Sequence, residues 1–161
     1  MHSLEIDEVL RDIETGGAWS VSYTHLADSA KINKLMFETK SRIQIEVEKN
    51  IFETMKYYFD GRCVVYQLSK SLMEETGASS DNIEGLSALG ITIEGVDVSV
   101  FLKEHDDGYK VSVRTTEKLN ACEICASFGG GGHARAAGCF ISDTYESAVN
   151  RIVEEISKYI G

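Results

Sequence analysis

The chain predicts an α/β domain, a mixed sheet of four or five strands with flanking helices, preceded by a long connector helix. Three observations carry this. Cys63, Val64, Val65, Tyr66 and Leu68 make a β-branched and aromatic run between Gly61 and Ser69. Val96, Val98, Val100 and Leu102 alternate with polar neighbours, and residues 109–115 alternate again after the turn His105-Asp106-Asp107-Gly108, the pattern of a hairpin with one buried face. Val149, Ile152, Val153, Ile156 and Ile160 recur at helical spacing, the buried stripe of a C-terminal helix. Strands and helices mixed in this way bury a sheet beneath helices.

The elements follow in order. Residues 4–14 have an amphipathic helical pattern closed by Gly16-Gly17, and residues 18–28 have no clear period. Over residues 31–59, Ile43, Val47, Ile51, Met55 and Tyr58 form a narrow helical stripe, which predicts one long helix or two in line. After the strand at 62–69, residues 69–76 predict a helical turn stopped by Gly77. Ser79-Ser80-Asp81 offers N-cap chemistry to a helix over 79–89. Residues 116–128 predict another helix, and 138–142 a short strand. Asp143-Thr144-Tyr145-Glu146 reads as a capping box with Asp143 as the cap of the last helix.

The chain has 161 residues and a net charge of −10. That balance opposes sequence-independent binding of long nucleic acid, which depends on many neutralised phosphates. It leaves room for a small anion held at one local positive site. No apolar run approaches the ~18 residues of a membrane span, and residues 1–5 lack a secretory pattern, so the expected location is cytoplasmic. Cys122-Glu123-Ile124-Cys125 is a lone CxxC. With Cys139 and His133 it would make a zinc site, and within an apolar helix the same cysteines are small buried hydrophobes.

The chemistry concentrates in Phe128-Gly129-Gly130-Gly131-Gly132-His133-Ala134-Arg135-Ala136-Ala137-Gly138-Cys139. Each ordered glycine costs roughly 0.5–1 kcal/mol relative to alanine in a regular element. Bare backbone kept at that cost suits close approach of a phosphate, either at successive exposed amides or at the N-terminus of a following helix. A flexible hinge with a bystander histidine fits the same residues. Alternation places Ser112 and Arg114 opposite Val111 and Val113, so that Arg114 either offers its planar fork to a phosphate or is simply solvated. Arg135 is a weaker candidate for the same role.

The glycine-histidine run, continued as Ala136-Ala137-Gly138, resembles the C-terminal motif of the DHH-family phosphoesterases. Val111-Ser112-Val113-Arg114-Thr115 resembles that family's arginine-bearing strand. Residues Glu94-Gly95-Val96-Asp97-Val98, Thr76-Gly77-Ala78 and Glu84-Gly85-Leu86 are similar to the branch of oligoribonucleases and 3′-phosphoadenosine-5′-phosphate phosphatases. The resemblance covers residues from about Ala30 onward. It implies a DHH-associated, substrate-binding domain over 61–161, a connector helix over 31–60 and a poorly matched segment over 1–30. It further implies that Ser112, Arg114, Gly130, Gly131, Gly132 and His133 contact a short oligonucleotide or nucleotide phosphate. His133 would lie near the scissile bond, as a substrate ligand or as an acid. The family's metals, typically manganese, belong to an N-terminal catalytic domain, and the chain has no Asp-His-His motif. The expectation is therefore no cofactor in this chain, manganese in the missing domain, and hydrolysis only when that domain is supplied. Three other readings remain open: an enzyme acting through His133 alone, a nonenzymatic nucleic-acid module, and a dimerisation domain using the long helix and a sheet edge.

Overall fold

The apolar run at 63–68 becomes the most deeply buried strand of the sheet, and its burial on both faces requires a layer on each side. A computed structural model describes residues 40–83 and 85–161. The expectations for residues 4–14, 18–28 and 31–39 lie outside the described residues. In chain order the elements are α1 (Arg42–Thr54), β1 (Lys56–Tyr58), β2 (Cys63–Leu68) and α2 (Lys70–Thr76). Three short 3-10 turns follow, at Ser80–Ile83, Leu86–Ala88 and Gly90–Thr92. The rest is β3 (Val98–His105), β4 (Gly108–Thr115), α3 (Ala121–Ala126), β5 (Gly131–His133), β6 (Ala136–Ile141) and α4 (Tyr145–Ser157). The sheet order is β1-β2-β3-β4-β6-β5. β2 and β3 run parallel, joined by α2 and the 3-10 turns, and the other neighbours are antiparallel.

One face of the sheet is covered by two helices. Val65, Val100, Leu102, Val111 and Val113 pack against α3 and α4 through Ile124, Ile152 and Ile156. The other face is covered only in part. Val64, Tyr66, Leu68 and Phe101 meet Val47 and Ile51 of α1 and Leu86 of the second 3-10 turn. The Tyr66 hydroxyl donates to the Leu86 carbonyl at 2.9 Å and accepts from the Gly90 amide at 3.2 Å, which fixes these turns on the sheet. Gly90 is required there, because a Cβ would lie 2.7 Å from side-chain atoms of Ser99, Tyr66 and Val64. The covering layer stops at the Leu86–Ala88 turn. Beyond it the same face of β4, β6 and β5 is half-buried or exposed.

Mixed α/β architecture with flanking helices and a preceding helix matches the sequence expectation, with six strands in place of four or five. The two additional strands have three residues each, β1 and β5. The helix expected through Phe59 ends at Thr54, because residues 56–58 pair with β2. Tyr58 continues the helical stripe in sequence and packs against the core from a strand instead. The helix expected over 79–89 is replaced by 3-10 turns, interrupted by Gly85 in a left-handed conformation at φ 81°. The helix expected over 116–128 shrinks to Ala121–Ala126. Asn120 caps it, and the Thr116 and Leu119 carbonyls are taken by Arg135. Thr144, not Asp143, caps α4, and Asp143 instead accepts from the Ser147 hydroxyl at 2.6 Å. Ser69 and Gly77 bound α2 as expected.

Asp97 locks the start of the sheet. Its carboxylate, 5% exposed, accepts from Lys118 at 2.8 Å and from Arg62 at 2.9 Å. These hydrogen bonds, Lys118 first, hold the Asp97 carboxyl below its ordinary range. A group with a lowered folded pKa adds stability above its unfolded value, about 3.9, and loses it as pH falls through the folded value. Asp97→Asn is expected to cost about 1.5 kcal/mol at neutral pH, the low end for charged hydrogen bonds because both cations reach solvent. Urea melts should show that difference at pH 7 and its disappearance in strong acid.

Candidate functional site

The glycine run is a strand and a hairpin, not a loop leading into a helix. α3 ends where the Phe128, Gly129 and Gly130 amides take the carbonyls of its last turn, with Gly129 at φ 70°. The segment is then anchored to α4. The Ser127 hydroxyl donates to Glu155 at 2.7 Å, and the Arg151 guanidinium lies 5.5 Å from the centre of the Phe128 ring. β5 turns back through Ala134 and Arg135 into β6, pairing Gly131 with Gly138, Gly132 with Ala137 and His133 with Ala136. Arg135 fixes that turn by donating to the Thr116 and Leu119 carbonyls. Thr115 adds a hydrogen bond to the Ala134 carbonyl at 2.9 Å. Arg135 is thus occupied in holding the hairpin.

The consecutive glycines exist for different reasons. A Cβ on Gly130 would lie 2.2 Å from the Gly138 carbonyl oxygen and 2.5 Å from the Cys139 Cβ. Gly132 has φ 149°, and a Cβ there would meet the Ala136 carbonyl at 2.6 Å. Gly131 has neither constraint: its φ lies outside the left-handed range and its Cβ position is open space. The fold therefore accepts a side chain at Gly131.

Register brings Ser112, Arg114, Gly131 and His133 onto one face, whereas Gly132, opposite Ala137, falls on the other and Gly130 packs against Cys139. Ser99, Arg114, Ala136 and His133 lie opposite one another in successive strands, and Phe101, Ser112, Gly138 and Gly131 form the adjacent row. Directly opposed residues of antiparallel strands share a face. Arg114 and His133 are therefore two strands apart, about 10 Å at 4.7–4.9 Å per strand. Gly131 and Ser112 stand beside them. β5 is the last strand of the described sheet, so its outer side presents unpaired backbone groups. Gly130 sits at its entrance, packed inward. Arg114 is half-buried, and its Nη2 donates to the Ser87 hydroxyl at 3.2 Å. Ser87 was not legible as a site residue. Its turn meets β4 only through the fold, and its hydroxyl ties the guanidinium to the edge of the covering layer.

The cysteines belong to the core. Cys125 and Cys139 are buried between the sheet and its helices, and Cys122 packs at the margin of that core. Hydrogen-bond sharing with Cys139, together with burial, pushes the Cys125 thiol up. His133 projects on the opposite face of β5–β6 from Cys139, which removes the tetrad imagined for zinc. Among the described residues, no three His, Cys, Asp or Glu side chains gather to hold a metal ion. Among them also, no helix is long and apolar enough to cross a membrane.

Known proteins resemble this chain in sequence and fold. The bifunctional oligoribonuclease and PAP phosphatase NrnA of Thermus thermophilus is 29% identical over 156 residues, which is 94% of this chain and 44% of that protein. The crystal structure of an exopolyphosphatase-related protein from Bacteroides fragilis superposes with a TM-score of 0.75 at 26% identity, over 81% of this chain and 39% of that one. The chain thus spans less than half the length of either relative. The DHHA1 domain family matches residues 60–161, from the turn before β2 through α4, and the chain belongs to that family, the DHH-associated domain of the DHH phosphoesterases.

Proposed function

We propose that this domain binds the phosphates of a short oligonucleotide or of a nucleotide such as 3′-phosphoadenosine-5′-phosphate, and presents them to a DHH catalytic domain for hydrolysis. The observation that carries the reading is Gly131. It is a glycine that the fold does not require, in the sheet row beside Arg114 and His133. Arg114 supplies a planar fork for one phosphate, held in place by Ser87. The bare strand at Gly131 lets a second phosphate approach backbone amides, and His133 and Ser112 donate from either side. Gly130 and Gly132 shape this wall through packing and backbone conformation. The oligoribonuclease and PAP phosphatase activities for which the Thermus thermophilus relative is named support the substrate class. In this reading manganese and the activated water belong to the catalytic domain, and His133 acts as a substrate ligand near the scissile bond. The chain works in the cytoplasm, consistent with its four free thiols.

Titration of the chain with 3′-phosphoadenosine-5′-phosphate and with a dinucleotide, followed by amide chemical shifts, tests this. Shifts centred on residues 130–133 are expected at up to millimolar ligand. Arg114→Ala should weaken binding by about 1.5–3 kcal/mol, the range for hydrogen bonds to charged groups. Unmoved amides at 130–133 would overturn the reading.

A further inference from the structure

The open face continues past the Arg114 row toward the other end of the strands. Lys103 of β3 stands directly opposite Lys110 of β4, which stands opposite Phe140 of β6. Like charges facing each other across an antiparallel pair destabilise a sheet. Lys110 is exposed, Lys103 is half-buried, and neither forms an ion pair with a described carboxylate. The register positions that share this face on β3, β4, β6 and β5 include no Asp or Glu, although the whole chain carries a net charge of −10. Glu104, next to Lys103 in the strand, alternates to the other face and accepts from the Lys70 amide at 2.9 Å. In the following turn Asp106 is paired with Lys70 and Asp107 is exposed. Phe140, a large apolar side chain, is 42% exposed beside the lysines. The His105 ring meets it edge-on at 6.1 Å, which orients the Phe140 ring and leaves its outer surface available.

A repulsive lysine pair beside an exposed aromatic ring is unfavourable in isolation and favourable against a ligand with phosphates and flat bases. We propose that Lys110, Lys103 and Phe140 form a second subsite for single-stranded oligonucleotide, continuous with the phosphate site. The proposal rests on the reading of Arg114 and Gly131 given above. The lysines take a backbone phosphate and Phe140 stacks a base, the combination used by single-strand binding surfaces. Arg114 and Lys110 are four residues apart on one strand, about 14 Å at 3.4 Å per residue. That exceeds the reach from one backbone phosphate to the next. The subsite therefore discriminates by length, favouring ligands of at least three nucleotides over mononucleotides.

The test is affinity of the full chain for 5′-phosphorylated oligoadenylates of one to five nucleotides, measured over a range of salt. Affinity should rise about tenfold between two and four nucleotides, consistent with one stacked base. Phe140→Ala and Lys110→Ala should each reduce the tetranucleotide-to-mononucleotide affinity ratio about tenfold. Lys110→Ala should also lower the salt slope for the tetranucleotide by about 0.7, one phosphate contact on a single strand. Relief of the lysine repulsion should raise the Tm of the same variant, which establishes that it folds. Affinity that stays flat beyond two nucleotides, or a ratio and slope unchanged in both variants, would overturn the subsite. Failure of the underlying reading looks different: Arg114→Ala would then leave mononucleotide affinity untouched while the length dependence still answered to Phe140.

Discussion

Gly131→Val is expected to abolish binding of 3′-phosphoadenosine-5′-phosphate while leaving the domain as stable as the parent, or slightly more so. The Cβ position of Gly131 is open, and its backbone is one that side-chain-bearing residues adopt. Valine suits a strand, and replacing an unconstrained glycine stabilises by about 0.4–1 kcal/mol through the unfolded chain. The isopropyl group would then stand in the row of Ser112 and Gly138, beside Arg114 and His133. It would displace a phosphate from the backbone there. Each charge-assisted hydrogen bond lost costs about 1.5–3 kcal/mol, tenfold or more in affinity. Calorimetric titration and thermal melting on one sample check both halves. Undiminished affinity would mean that ligand does not approach this strand. A lowered Tm would mean that Gly131 has a packing role.

This contrast could not be read from the sequence, where the glycines of the run look alike. The facing of Ser112 and Arg114 was legible, because Val111 and Val113 alternate with them and have to enter the core. The glycine run was legible as bare backbone, but not that Gly130 and Gly132 are bare because β6 lies against them. The strand character of the run was not legible either, because glycine carries no β signal. β5 exists only because Ala136–Ile141 returns beside it and Arg135 pins the turn. Once the register is known, Arg114 and His133 fall into one row. The contact from Ser87 to Arg114 links a segment that looked like a helix to a strand 27 residues away, and nothing local encodes it. The end of α1 was hidden for the opposite reason. Tyr58 satisfies a helical stripe and a strand pairing equally well, and pairing with Cys63 decides between them.

Gly130→Val, one residue from the first substitution, is expected to destabilise the domain by at least about 3 kcal/mol. Overpacking a core typically costs 1–3 kcal/mol when side chains can shift. Here the obstruction is largely backbone: the Gly138 carbonyl oxygen at 2.2 Å and the Cys139 Cα at 2.8 Å from the added carbon. Those atoms cannot retreat without disturbing β6 where it pairs with Ser112 and Val111 of β4. Cys139 also lies in the core between the sheet and its helices. The damage therefore spreads from the hairpin to the strand that carries Arg114. Urea unfolding should show a lowered midpoint for Gly130→Val and an unchanged one for Gly131→Val, although both variants lose nucleotide. If binding alone were measured, the two would be indistinguishable. Their separation in stability tells a glycine kept for packing from a glycine kept for a ligand, and equal midpoints would refute that assignment.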